Sequence, residues 1–219
     1  MVEPIYIVGS GLGIAFLLGL IKKAGKNTSG VVMLLTLAFM TFISAGWLWS
    51  LLVEGNAPHY TYTAAFKPPF SISLLMGDME AFFTTLINLA GLLGGLYLWQ
   101  QLKEKGVNTM IVYLLLFVGL NVVVMTRDIF NLFVFLEISS VAIIGLVLLQ
   151  RETNALAAGF KYLVATSIIS GFMLIGIIFV YHYAGSLDIG DIIQSNITAV
   201  KGGFAAIFLI LIAVALELK

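Results

Sequence analysis

The 219-residue chain is 61% hydrophobic, has a mean hydropathy of +1.09 and contains only 10% charged residues. Its eleven basic and eleven acidic side chains cancel, which excludes a strongly charged surface for nucleic acid. No water-soluble domain could keep so much apolar surface in water, so we predict an all-α integral membrane protein.

Two features of the composition argue against a cofactor on this chain. Cysteine is absent, which excludes disulfides and protein-ligated iron–sulfur clusters. The two histidines, His59 and His182, are far apart in the sequence and do not suggest a haem or metal pair. We therefore predict no cofactor and no metal site, and any linked redox chemistry would belong to another subunit.

About seven transmembrane helices are predicted from the hydropathy. A helix needs about 20 apolar residues to cross the hydrocarbon core. All four prolines fall outside the apolar segments, as continuous helices require. The segments are residues 5–21, 31–53, 79–101, 108–125, 128–149, 157–183 and 200–218.

The distribution of basic residues predicts the orientation. Three alternate loops, 22–30, 102–107 and 150–156, carry six of them, and the other loops carry three. Because basic residues favour the cytoplasmic side, the N-terminus is predicted outside. The six are Lys22, Lys23, Lys26, Lys103, Lys105 and Arg151, against Lys67, Arg127 and Lys201.

The longest connection, residues 54–77, is then external. Its alternating stretches HYTYT and FSISL are typical of two strands that pair as a small hairpin on the membrane surface. Its aromatic residues equally fit an interfacial belt without strands. Both interpretations stay open at the level of the sequence.

One acid lies in the middle of an apolar span. In MTRDIFNLFVFLEISSVAIIGLVLL, residues 125–149, Glu137 falls near the bilayer midplane, where a charge costs about 2.5–3.5 kcal/mol. We expect it to face protein or a hydrated cavity, where burial and a nearby cation would compete over its proton. Ser140, one turn away, could bind a water or the carboxylate. The alternative is a permanently protonated glutamate in a helix–helix hydrogen bond.

Other charges near the spans admit two interpretations each. Lys161 either extends to the interface or serves as a cation on an ion path. Lys219 either ends the last helix on the cytoplasmic side or is a mid-membrane group within a longer broken helix. Asp78, Glu80 and Asp128 stand at predicted helix N-termini, where the helix dipole alone would explain them.

Three stretches together resemble one family. TRDIFNLFVFLEISSVAIIGLVLL is similar to the fifth-helix signature of antiporter-like subunits, which occur in Mrp-type cation/proton antiporters, membrane-bound hydrogenases and sulfane reductases, and complex I. ISLLMGDMEAFFTTLINLAGLLGGLYLW and FKYLVATSIISGFMLIGIIFVYHYAGSLDIGDI match the third helix and the sixth helix with its following loop. The aromatic residue that commonly precedes the glutamate is Leu136 here.

The resemblance implies roles for individual residues. Glu137 would be the essential fifth-helix glutamate, and Lys219 the lysine of the broken seventh helix whose charge controls the ionisation of that glutamate. Lys161 would match a basic position often seen on the sixth helix. Asp128, in the short polar turn before the glutamate helix, and Ser140 are candidate supporting residues.

The resemblance also implies an organisation. Residues 1–107 would form three leading helices with the external loop 54–77, and residues 108–219 most of one five-helix repeat, a half-channel. The family continues through a second repeat beyond the position of Lys219. We therefore expect another polypeptide to supply the second half-channel, unless the chain is a remnant that only packs.

The predicted function is ion translocation in a multi-subunit respiratory or antiporter complex of a prokaryotic cell membrane, carrying H⁺ alone or exchanging Na⁺ for H⁺. The alternative is a truncated, non-conducting structural subunit that docks its neighbours. The chain shows no catalytic motif of its own, so any oxidoreductase or hydrogenase-like activity would belong to the complex. The expected partners are other antiporter-like and small hydrophobic membrane subunits, lipid, and an iron–sulfur or nickel redox arm, with no nucleic acid.

Overall fold

The protein is a bundle of apolar helices with one small hairpin. A computed structural model describes residues 2–20, 25–63, 66, 68, 71–148, 153–197 and 201–217. In these ranges the elements are α1 Ile5–Leu20, α2 Lys26–Leu52, β1 His59–Tyr62, β2 Ser73–Met76, α3 Asp78–Tyr97, α4 Trp99–Lys105, α5 Val107–Met125, α6 Ile129–Leu148, α7 Thr153–Ala184, α8 Ile189–Gln194 and α9 Lys201–Glu217.

The all-α membrane fold class is confirmed. Helices α2, α3, α5, α6 and most of α7 are long and apolar enough to cross a membrane. The first and last predicted spans correspond to two shorter apolar helices, Ile5–Leu20 and Gly202–Leu216, so the count of seven crossings stays a prediction. The third predicted span, 79–101, divides at Leu98 into α3 and the short α4.

The predicted hairpin is present, with its second strand displaced. Strand β1 pairs antiparallel with β2, and His59 lies opposite Met76. The second strand begins at Ser73, three residues beyond the start of the FSISL stretch that predicted it. Burial explains the displacement, because Leu74 and Met76 enter the main hydrophobic core and fix which residues pair.

Two hydrophobic regions hold the helices together. The larger joins α1–α5 and β2 around the fully buried Met33, Leu37, Met40, Met110 and Leu114. The second lies between α6, α7 and α9. Helix α5, in the predicted repeat 108–219, packs against α6 of the same repeat and also against the leading helices α1, α2 and α3.

A polar cluster lies inside the larger core. Asn121 Nδ2 donates to Asn88 Oδ1 (2.7 Å), and Asn88 Nδ2 donates to Asn121 Oδ1 (3.1 Å) and to Ser44 Oγ (3.3 Å). All three residues are 0% exposed. Because unpaired amides are costly in hydrocarbon, this cluster fixes how α2, α3 and α5 are aligned.

We predict that the two asparagines are coupled. Asn88→Ala and Asn121→Ala each leave a buried amide without its partner, so each should destabilise the purified assembly by about 1–2 kcal/mol. The double variant should cost less than the sum of the two, measured as thermal stability in detergent. Thr85→Ala is the control, because its hydroxyl bonds only to its own helix at Ala81 O (2.7 Å). Strict additivity of the two losses would contradict the coupling.

Candidate functional site

The bundle has two distinct ends. The hairpin end, as we call it, carries β1, β2 and the turn between α5 and α6, which contact each other through the Leu74–Thr126 bridge. The lysine end carries the start of α2 and the last turn of α4 with Lys103 and Lys105. Lys26 Nζ donates to Glu104 O (3.3 Å) there, so these basic residues share one end.

The turn before α6 is fixed by its neighbours at the hairpin end. Arg127 N donates to Ser73 O (2.9 Å), and Arg127 O accepts from Ile189 N (2.8 Å). The Arg127 guanidinium pairs with Glu80, whose side chain is only 14% exposed. The turn thereby joins β2, α3 and α8, and it sets the position from which α6 starts.

Asp128 caps α6. Its Oδ1 accepts from Asn131 N (2.7 Å), and Thr126 Oγ1 accepts from both Asp128 N (3.2 Å) and Asn131 Nδ2 (2.9 Å). Asp128 is 8% exposed, and this burial raises the pKa of its carboxyl above the usual 3.8. The backbone N–H groups of Asn131 and Phe130 partly offset the rise, and the nearby Asp188 adds to it. A structural role explains Asp128, and its supporting role on an ion path stays a prediction.

Glu137 lies midway along α6 and is paired across the seam to α7. Its half-buried carboxyl accepts a hydrogen bond from the hydroxyl of Ser170. Ser170 is 6% exposed, and its Oγ also lies 2.9 Å from Thr166 O on its own helix. The polar partner that Glu137 needs at this depth is therefore a neutral hydroxyl group.

The other side of Glu137 faces a groove between α5 and α6. The groove has a volume of about 440 Å³ and reaches the surface of the chain, where Val141 is 56% exposed. Apart from Glu137 its lining is apolar: Val112, Leu115, Ile138, Val141, Ala142 and Gly145. Glu137 therefore lies between a closed helix seam and an open apolar surface.

Helix α9 runs antiparallel to α7 and reaches the level of this pair. Ile210 packs against Gly176, and Ala213 lies in one cluster with Met173. Because both helices continue in this antiparallel alignment, the last turn of α9 lies level with Ser170. Lys219 lies outside the described residues.

Lys161 is not brought against Glu137. Its side chain is exposed, and it stands nine positions before Ser170 on α7, which is about half a turn away around the helix axis. Within the described ranges, the close contacts between acidic and basic side chains are Glu80–Arg127 and the hydrogen-bonded Glu3–His59. The role of Lys161 on an ion path stays a prediction.

Ser170 was not singled out from the sequence, although a signal for it exists. Thr166 and Ser170 are four residues apart in an apolar helix, so they lie on one face, and both are buried. The spacing marks a polar face on α7, but it does not identify the contact with Glu137. Nothing in the α6 sequence alone indicates which residue of α7 is level with Glu137.

Comparison with known proteins gives consistent matches. Residues 126–219 match the family described as NADH:quinone oxidoreductase/Mrp antiporter, TM. An NADH-quinone oxidoreductase subunit N from Desulforudis audaxviator is 30% identical over 178 residues, 79% of this chain and 35% of that protein. A subunit of a probable K(+)/H(+) antiporter from Rhizobium meliloti is 30% identical over 170 residues, 77% of this chain and 30% of that protein.

A solved structure has the same fold. A chain of the membrane-bound sulfane sulfur reductase, an archaeal respiratory membrane complex, superposes with a TM-score of 0.86 at 27% identity. The match covers 97% of this chain and 44% of that chain. This chain therefore spans about a third of the curated relatives and less than half of the solved one.

The cap at Asp128 gives a prediction with a pH dependence. Asp128→Ala removes the acceptor for Asn131 N and should destabilise the assembly by about 1 kcal/mol, whereas Asp128→Asn keeps an acceptor. Since the pKa of Asp128 is raised in the fold, the wild type loses stability as pH rises from 3.8 through the raised value. Asp128→Asn should therefore be at least as stable as the wild type at neutral pH, with less advantage in acid. Thermal unfolding in detergent at several pH values measures this, and equal losses in both variants would contradict it.

Proposed function

We propose that this chain, which belongs to the family of antiporter-like membrane subunits, translocates protons within a multi-subunit membrane complex, with Glu137 as the proton carrier. The transported ion is H⁺ alone or Na⁺ exchanged for H⁺. The observation that carries the proposal is the position of Glu137, midway along an apolar span and hydrogen-bonded to Ser170 of the facing helix. An acid at this depth is costly, and a carrier role explains its presence.

The surroundings of Glu137 differ toward the two ends of the bundle. Toward the hairpin end, the seam between α6, α7 and α9 is filled by apolar side chains, among them Phe133, Met173 and Ile177. Toward the lysine end, the next turns carry Thr166 on α7 and Ser140 on α6. Hydroxyl groups and water can pass protons where packed apolar side chains cannot. This asymmetry supports proton exchange between Glu137 and the lysine end, which we assign to the cytoplasmic side.

Coupling to Lys219 would give the carrier its uptake and release steps. Lys219 follows the end of α9 by two residues, and α9 reaches the level of Ser170. A unit-charge pair 4 Å apart is worth about 4 kcal/mol at an effective dielectric constant of 20. An approaching ammonium group therefore favours the ionised carboxylate of Glu137, and a receding one favours the protonated acid. A small displacement of the lysine suffices for a cycle.

Other parts of the assembly take part in the proposed transport. Residues outside this sequence complete the path across the membrane, in a second repeat. The similar sulfane sulfur reductase chain belongs to a respiratory membrane complex. By analogy, we propose that a redox arm with iron–sulfur or nickel centres, in another subunit, drives the ion step.

Glu137→Gln should abolish transport, because the amide is close in shape but cannot carry the proton. The measurement is proton uptake by vesicles containing the reconstituted assembly, followed with a pH-sensitive dye. Glu104→Gln is the control, since it makes the same chemical change at an exposed position of α4. A full rate in a normally assembled Glu137→Gln complex would overturn the carrier role and favour a non-conducting structural subunit.

Lys219→Ala should slow transport by about tenfold or more, because the charge that shifts the proton on Glu137 is lost. Lys219→Arg keeps a cation and should retain part of the rate. A full rate in Lys219→Ala would remove the lysine from the proposal and leave the glutamate.

A further inference from the structure

The hydroxyl of Ser170 has two hydrogen-bond acceptors within reach. One is Glu137 Oε1 across the seam, and the other is the backbone oxygen of Thr166, 2.9 Å away. A serine hydroxyl has one proton and two lone pairs, so it donates to one acceptor at a time while it can still accept. Ser170 is 6% exposed, so bulk water does not take its place beside Glu137.

We propose that Ser170 is a positioning residue that stays hydrogen-bonded to Glu137 in both of its protonation states, by turning its hydroxyl between the Glu137 carboxylate and the Thr166 carbonyl. This inference rests on the proposed role of Glu137 as a proton carrier. It adds a residue that neither the sequence nor the comparisons assign to the path.

The two states differ by one proton on Glu137. With Glu137 ionised, the Ser170 O–H donates to Oε1. When a proton arrives on the carboxyl, the new Glu137 O–H donates to Ser170 Oγ, and the serine proton turns to Thr166 O. The serine keeps its own proton throughout, and its O–H bond does not break. Release of the proton from Glu137 reverses both rotations.

The consequence is that neither state of Glu137 is left without a partner. A buried polar group without a hydrogen bond is costly, and a charged group more so. A partner that could only donate would hold the carboxylate, and one that could only accept would hold the protonated acid. A hydroxyl does both, so it keeps the two states close in free energy and lets the proton exchange.

Neighbouring hydroxyl groups on α7 bond to carbonyls of their own helix, whereas Ser170 also contacts Glu137 on α6. Thr166 Oγ1 lies 3.0 Å from both Tyr162 O and Leu163 O of its own helix. Ser167 Oγ donates to Leu163 O (2.8 Å) and is exposed. Ser167 therefore offers a matched control: the same residue type on the same helix, bonded within that helix and turned to the surface.

The experiment compares substitutions that keep or remove the hydroxyl. Thr and Val have nearly the same shape, so Ser170→Thr against Ser170→Val isolates the hydroxyl, and Ser170→Ala removes it without adding bulk. In the vesicle assay on the whole assembly, Ser170→Ala and Ser170→Val should be slower by about tenfold. Ser170→Thr should be faster than Ser170→Val by a similar factor, and Ser167→Ala should match the wild type.

An infrared measurement adds a readout that packing alone would not move. The carbonyl stretch of protonated Glu137, identified by its absence in Glu137→Gln, should shift to higher wavenumber in Ser170→Val and return in Ser170→Thr. An unshifted band, or a Val variant as active as the Thr variant, would overturn the inference. Loss of assembly in the Val variant alone would make the hydroxyl structural, which also overturns it.

Glu137→Gln, measured alongside, separates this inference from the proposed function. If Glu137→Gln transports at the full rate, the carrier role fails, and the role of Ser170 fails with it. If Glu137→Gln is inactive while the Thr and Val variants are equal, Glu137 remains the carrier and only the role of Ser170 is lost.

Discussion

The constraint on which the structure depends is the cost of an unpaired polar group in hydrocarbon. Apolar helices pack in many alignments at similar cost, because lipid contacts replace helix contacts. Polar pairs remove this freedom. Asn88 and Asn121 align the leading helices with α5, and Glu137 with Ser170 aligns α6 with α7. The same rule that holds the bundle together therefore also positions the carboxyl proposed to carry protons.

Charge is distributed unevenly along the bundle. The charged groups at the hairpin end have structural roles, whereas the role proposed for Glu137 near the midplane is functional. The Glu80–Arg127 pair and the Asp128 cap lie at the hairpin end, where polar backbone groups and the membrane surface make charges less costly. In the described part of the midplane, Glu137 meets a neutral hydroxyl and apolar side chains. A permanent cation at this position would hold the carboxylate ionised. A neutral partner at this position is what the proposed carrier role requires.

The sequence predicts the helices because length and hydropathy decide them, and it locates Glu137 because an isolated acid in an apolar span is conspicuous. It places the second strand three residues early, since alternation in FSISL does not reveal that Leu74 and Met76 enter the core. It does not identify Ser170. Residues that share a helix face follow from spacing, but the level at which two helices meet follows from their packing, which no periodicity contains. Hydropathy therefore reveals one residue of the site, Glu137, and only the structure supplies the other, Ser170.

Ser170 and Lys219 would have different roles in proton transfer by Glu137. A hydroxyl that satisfies both protonation states lowers the cost of exchange but gives it no direction, because it favours neither state. Direction needs a group whose effect on Glu137 changes during the cycle, and a charge that moves relative to the carboxyl has this property. The side chains between α6, α7 and α9 near Glu137 include the apolar Leu136, Ile169 and Val214, so the field of such a charge would be weakly screened there. The proposed carrier therefore needs both a neutral, fixed partner, Ser170, and a charged, movable one, Lys219. With Ser170 alone, Glu137 would exchange protons without pumping them.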